Sequence, residues 1–163
     1  MNIILLTHER ELSRLSNTGQ WVLATLPQMS QRVIWSRKQP DQALIADLDS
    51  GRARLVFPAS EMAQGQHSDT LPVSRQSECA LKSLVIIDAT WQEARKMWRQ
   101  SPYLKRAPLF PLMVDAPSSY LLRRNQIQGG LSTAECVINL LQQLALHDSA
   151  AALISTYEQY NSQ

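Results

Sequence analysis

Cysteine is scarce in this chain: Cys79 and Cys136 stand far apart, and neither has a CxxC neighbour. That argues against a disulfide scaffold and a cysteine-rich zinc site. Both are expected as reduced thiols, Cys136 on a buried helix face. The three histidines, His8, His67 and His147, show no metal-ligand spacing and are expected at the surface or in caps, so no metal is expected. Glycine is sparse too, five in 163 residues. None falls into GxGxxG or GxxxxGK[ST], which disfavours the usual dinucleotide and nucleoside-triphosphate loops. A GxSxG elbow with a Ser-His-Asp order is also missing. No run approaches the ~20 apolar residues that cross a bilayer. The apolar start, Met1 to Thr7, is short and leads into His8-Glu9-Arg10-Glu11, not into a small-residue cleavage site. A signal peptide is therefore not expected, and the chain is placed in the cytoplasm, away from membranes.

What is present fits one globular domain over 1–163. A hydrophobic fraction of 44% against 18% charged residues leaves enough apolar surface to build a core and argues against disorder. The net charge of +2 is unevenly spread. Between Trp91 and Gln128 lie Arg95, Lys96, Arg99, Lys105, Arg106, Arg123 and Arg124 against only Glu93 and Asp115. A basic middle in an otherwise acidic chain suits a phosphate-facing surface, although a solvated helix face would look the same.

Hydrophobic periodicity gives alternating strands and helices. NIILLT (Asn2 to Thr7) reads as a buried strand, followed by a turn at Asn17-Thr18-Gly19 and a helix ending near Pro27. Arg32 to Trp35 reads as a second strand. Pro40 and Asp41 open a helix closed by Asp49-Ser50-Gly51, and Arg54 to Phe57 forms a strand that Pro58 stops. The polar, breaker-rich stretch from Ser60 to Ser83 carries no firm element. Leu84 to Ile87 is the clearest buried strand and runs into Asp88. A helix spans Trp91 to Gln100 and stops at Ser101-Pro102, and Leu109 to Val114 forms an edge strand that tolerates Pro111. Ser132 to His147 reads as an amphipathic helix, and Asp148 to Tyr160 as another. The expected fold is α/β, a mostly parallel sheet with helices on both faces.

Two helix starts share one construction. Thr90-Trp91-Gln92-Glu93 and Ser132-Thr133-Ala134-Glu135 both fit the capping box, which is a common structural device. Their setting adds weight. Asp88 lies at the carboxyl end of a buried strand, the edge where ligands bind in open α/β sheets. There a carboxylate serves as a general base, as a ligand for a hydroxyl or ammonium group, or simply as a turn or capping group. Gly129-Gly130 leads into the second helix start, and glycines allow close backbone approach to a ligand. Trp91 and Trp98 share a helix with Arg95, Lys96 and Arg99, a combination that suits nucleic acid, though at least one of the tryptophans is expected in the core.

These residues also carry a resemblance. Asp88-Ala89-Thr90-Trp91 matches the D-x-T-W signature of the DTW-domain family. The stretches Trp91 to Met97, Ser101-Pro102-Tyr103-Leu104, Ser119 to Arg123, Ser132 to Glu135, Ser16-Asn17-Thr18-Gly19 and Phe57-Pro58-Ala59-Ser60 resemble further family blocks in family order. The resemblance implies a SPOUT-like fold whose C-terminal part passes through a trefoil knot. It implies transfer of the 3-amino-3-carboxypropyl group of S-adenosylmethionine, as donor substrate, to N3 of a tRNA uridine, with methylthioadenosine leaving. Asp88 would be the base or would hold the donor's amino group, beside Thr90 and Trp91. Phe57, Pro58, Ala59, Ser60, Ile87, Asp88, Leu131, Ser132 and Thr133 would surround the donor, and Arg95, Lys96, Arg99, Arg123 and Arg124 would meet RNA phosphates or the donor carboxylate. The protein would act as a monomer or homodimer. Many relatives carry an N-terminal cysteine cluster resembling a zinc site; this chain starts at the first strand, so no such zinc is expected. Rival readings are a SPOUT-type RNA methyltransferase and a non-catalytic RNA- or cofactor-binding module.

Overall fold

A computed structural model of the chain describes residues 1–58, 80–114 and 130–161. Among these, five strands form one sheet: β1 (Asn2–Thr7), β2 (Ser30–Ile34), β3 (Ala53–Pro58), β4 (Ser83–Asp88) and β5 (Leu109–Leu112). Their order is β2-β1-β4-β3-β5, and each pairing is parallel. The helices are α1 (Gly19–Thr25), α2 (Gln42–Asp49), α3 (Trp91–Gln100), α4 (Pro102–Lys105), α5 (Thr133–Gln143) and α6 (His147–Asn161), with a 3-10 turn at Glu9–Glu11.

β1 and β4 read as continuous apolar runs because both faces of the sheet are covered. Ile3, Leu5, Leu84 and Ile86 face Val22, Val137, Leu141 and Leu153 from α1, α5 and α6. On the other face Ile4, Leu6, Leu55 and Val85 meet Leu44, Leu48, Met97 and Leu104 from α2, α3 and α4. Thus α1, which follows β1, and α3, which follows β4, lie on opposite faces. The carboxyl ends of these neighbouring strands form the switch point of the sheet.

The sheet also opens near that point. β4 pairs with β1 along its full length, from Ser83 opposite Asn2 to Asp88 opposite Thr7. Its described ladder with β3 reaches only from Ala53–Ser83 to Leu55–Val85. Beyond Leu55, β3 continues beside β5 as far as Pro58–Leu112.

Three expectations need correction. The helix expected over Ser132 to His147 ends at Gln143. Ala145 turns left-handed with φ 57°, and Leu146 donates to the Leu141 carbonyl at 2.9 Å while Ala145 donates to Gln142 at 3.0 Å. That is a Schellman closure built on alanine where glycine is usual. Pro102 does not only stop α3; it opens the short α4 from its first position. β3 does end at Pro58, but the proline is itself the last strand residue, one beyond the expected end. The edge position expected for the Pro111 strand is observed. Residues 59–79, including most of the long polar stretch, and 115–129, on which the path of a C-terminal knot depends, lie outside the described residues.

Candidate active site

The switch point is organised around Asp88, whose side chain is fully buried. One carboxylate oxygen accepts from Thr7 Oγ1 at 3.0 Å, and the other from Asn17 Nδ2 at 2.9 Å and Thr133 Oγ1 at 2.8 Å. Arg32 Nη2 stands 4.0 Å away. A buried carboxylate is tolerated only when its charge is answered by donors and positive partners. Helix starts add to that answer, since their free amide ends favour negative charge. The α1 backbone lies close: a Cβ at Gly19 would stand 2.7 Å from Asp88 Oδ2. Thr133 is the first residue of α5. A single carboxylate therefore joins the ends of β1 and β4 to the beginnings of α1 and α5.

The hydrogen-bonded network continues outward. Asn17 Nδ2 also donates to Glu11 Oε2 at 3.0 Å, and Glu11 is fully buried. Arg14 bonds Glu11 and then forks onto Glu93 of α3, Nη1 to Oε2 at 3.1 Å and Nη2 to Oε1 at 3.2 Å. A planar guanidinium suits this paired recognition where a lysine would not. Burial pushes the Glu93 carboxyl up, but the Thr90 hydroxyl and amide, with Arg14 and His8 nearby, outweigh it and hold the group below its ordinary value. Both expected capping boxes are formed, on Thr90 with Glu93 and on Ser132 with Glu135. Thr18 supplies a third link: its hydroxyl accepts from the Ala134 amide of α5 at 3.0 Å.

Of the residues singled out in the sequence, Asp88, Thr90, Trp91, Ser132 and Thr133 gather at this edge. Trp91 is half-buried against Gly130, where an added Cβ would overlap the indole nitrogen. This contact presses the start of α3 onto the residues just before α5. Ile87 and Leu131 are half-buried, one on each face. Phe57 stands at the end of β3, its ring 6.1 Å from that of Trp98, and Pro58 follows it. Arg95, Lys96 and Arg99 form an exposed stripe on α3. Ala59, Ser60, Arg123 and Arg124 lie outside the described residues. His8 is buried and caps the 3-10 turn, its Nδ1 accepting from the Arg10 amide at 3.3 Å, and its ring stacks on Trp35 at 5.4 Å. His147 begins α6 and is exposed. Cys136 is half-buried in α5, while Cys79 and His67 lie outside the described residues.

Sequence reasoning missed Thr7, Glu11, Arg14 and Arg32 as site residues, and placed Asn17, Thr18 and Gly19 in a turn and a family block without giving them a site role. One signal was available: Thr7 ends a buried strand just as Asp88 does, and Asn17 to Gly19 precede the next helix. Among the described residues no group of three or more His, Cys, Asp or Glu side chains is arranged to hold a metal. Among the described residues no helix is long and apolar enough to cross a membrane.

A family model described as "DTW domain" matches residues 1–163. The tRNA-uridine aminocarboxypropyltransferase 2 of Drosophila melanogaster is 28% identical over 144 residues, which cover 85% of this chain and 54% of that protein. The chain thus spans about half the length of this relative. No solved structure matches.

Proposed function

Because this chain belongs to the DTW-domain family, we propose that it modifies tRNA, transferring the 3-amino-3-carboxypropyl group of S-adenosylmethionine to N3 of a uridine. The similarity to a tRNA-uridine aminocarboxypropyltransferase supports the reaction class. The opening of the sheet between β4 and β3, beside two capped helix starts, is the observation that carries the reading. Strand ends that part there leave backbone edges beside the apolar side chains of Phe57, Ile87 and Leu131. Such a lining fits a nucleoside, which needs an apolar slot and a few directed polar groups.

In this reading Phe57, Pro58, Ile87, Leu131, Ser132 and Thr133 hold the donor, together with Ala59 and Ser60, which follow Pro58 in the sequence. The donor supplies an electrophilic carbon beside a sulfonium; the uridine N3–C bond forms as the S–C bond breaks, and methylthioadenosine departs. The sequence leaves Asp88 open as base or as ammonium ligand. Its full burial and three donors favour a different part, holding the ends of β1 and β4 against the starts of α1 and α5. The N3 proton then passes to water, and the rate gain comes mainly from orientation beside an already good leaving group. Trp91 contributes by fixing Gly130, just before α5.

Incubating the chain with unmodified tRNA and labelled S-adenosylmethionine tests the proposal. The expected products are a uridine that gains both the amino and carboxyl groups, and methylthioadenosine. A methylated nucleoside with S-adenosylhomocysteine, or no product at all, overturns it.

A further inference from the structure

Sequence alone assigns the RNA-facing cations to Arg95, Lys96 and Arg99 of α3 and to Arg123 and Arg124, which lie outside the described residues. The fold brings two other segments to the ends of that helix. Its first turn is clasped by Arg14 from the segment after β1, through Glu93. Its far end is met by the segment after β2, where Trp35 Nε1 donates to Ser101 Oγ at 2.8 Å. These two segments also touch each other: His8 stacks on Trp35, and the Trp35 amide donates to the Thr7 carbonyl at 2.9 Å. Segments 8–14 and 35–39 and helix α3 therefore form one contiguous region at the carboxyl edge of the sheet.

Its charge is one-sided. The exposed charged residues in these three stretches are Arg10, Arg37, Lys38, Arg95, Lys96 and Arg99 against Glu9 alone. Glu11 and Glu93 are buried, and both are bonded to Arg14. Among the described residues, none of those six side chains has a hydrogen-bonded or ion-paired acid. Toward the amino edge the pattern differs: Arg52 is held by Asp47 at 2.7 Å and Arg106 by Asp49 at 3.0 Å. Six unanswered cations on one region repel each other unless a polyanion covers them. Trp35 and His8 are buried against each other, Trp91 lies against Gly130 and Trp98 against Phe57, so among the described residues the exposed side chains that this surface offers are mainly cations. That favours phosphate contacts over base stacking.

We propose that Arg10, Arg37 and Lys38 join Arg95, Lys96 and Arg99 in one surface that grips the phosphate backbone of a folded RNA substrate. This rests on the reading of the chain as a tRNA-modifying enzyme and extends it to two segments outside the α3 stripe. Neutralising phosphates releases counterions, so each lost contact reduces the salt dependence of binding by roughly 0.7 to 0.9 in the log–log slope.

The test measures affinity for a tRNA transcript at several salt concentrations. Its variants are Arg10→Gln/Arg37→Gln/Lys38→Gln, Arg95→Gln/Lys96→Gln/Arg99→Gln and, as a control, Arg52→Gln/Arg106→Gln. Each triple variant is expected to lower the slope by about 2 and the control to leave it unchanged. A wild-type slope in the first triple variant overturns the proposal, as does a slope lost equally in the control. Binding to phosphatidylserine vesicles without affinity for tRNA would also overturn it. Group transfer with an unaltered slope in the first variant sinks the surface alone. A reduced slope in a protein that transfers nothing sinks the reaction and leaves the surface standing.

Discussion

Asp88 accepts three hydrogen bonds while fully buried, and this separates the roles it could play. Replacing the carboxylate with an amide keeps the shape but turns one acceptor oxygen into a donor. That donor would face Thr7 or the pair Asn17 and Thr133. Asp88→Asn is therefore expected to destabilise the fold by on the order of 3 kcal/mol, the cost of mismatched buried polar groups, and to lose activity with it. A base exposed to substrate would give a different result: lost turnover with unchanged thermal stability. Denaturant unfolding and product formation measured on the same variant decide between them. Thr133→Val removes one donor and keeps the charge, so a loss nearer 1 kcal/mol is expected. Asp88 itself was legible in the sequence as an acid ending a buried strand. Its partners were not, because Asn17 and Thr133 meet it from 71 and 45 residues away.

The starts of α3 and α5 were readable because their caps are local. A hydroxyl and a glutamate three residues later define each box without reference to anything distant, and both boxes are formed. The end of α5 was not readable, since Ala145 takes the left-handed position that glycine usually announces. The contact between the two helix starts depends on Gly130 lacking a side chain. Gly130→Ala is expected to displace the Trp91 indole and cost about 1–3 kcal/mol. Because the clash is with that one ring, Trp91→Leu should remove most of the additional penalty of the alanine. A double-mutant cycle with simply additive losses would show that the two residues do not act together. The α3 cap also makes a pH prediction. Glu93 is held below its ordinary value, so it stabilises the fold above the unfolded glutamate value of about 4.3, and this contribution is lost as pH falls through the lower folded value. Urea unfolding from pH 6 downward should show wild-type stability falling more steeply below about 4.3 than that of Glu93→Gln. Equal slopes would place Glu93 outside the acid response.

At the scale of the molecule, the sheet order β2-β1-β4-β3-β5 decides where everything else goes. The α/β class and the strands themselves followed from period and breakers. The order did not, because parallel neighbours are joined through long crossovers that leave no local mark. Yet that order puts α1 and α3 on opposite faces, gathers Thr7 beside Asp88, and separates two sides of the carboxyl edge. On the β1 side the space is filled by the network of Glu11, Asn17, Asp88 and Thr133. On the β3 side the ladder stops at Leu55–Val85. On the proposed reading a nucleoside enters where the strands part, so binding should stiffen that side. Hydrogen exchange with methylthioadenosine, which keeps the adenosine and lacks the transferred group, reads this directly. Slower exchange is expected at Val56, Phe57, Ile86 and Ile87 and over 130–133, with β2 unaffected. Protection confined to β2 and the segment after β1 would move the site across the sheet, to the side that the buried network now occupies.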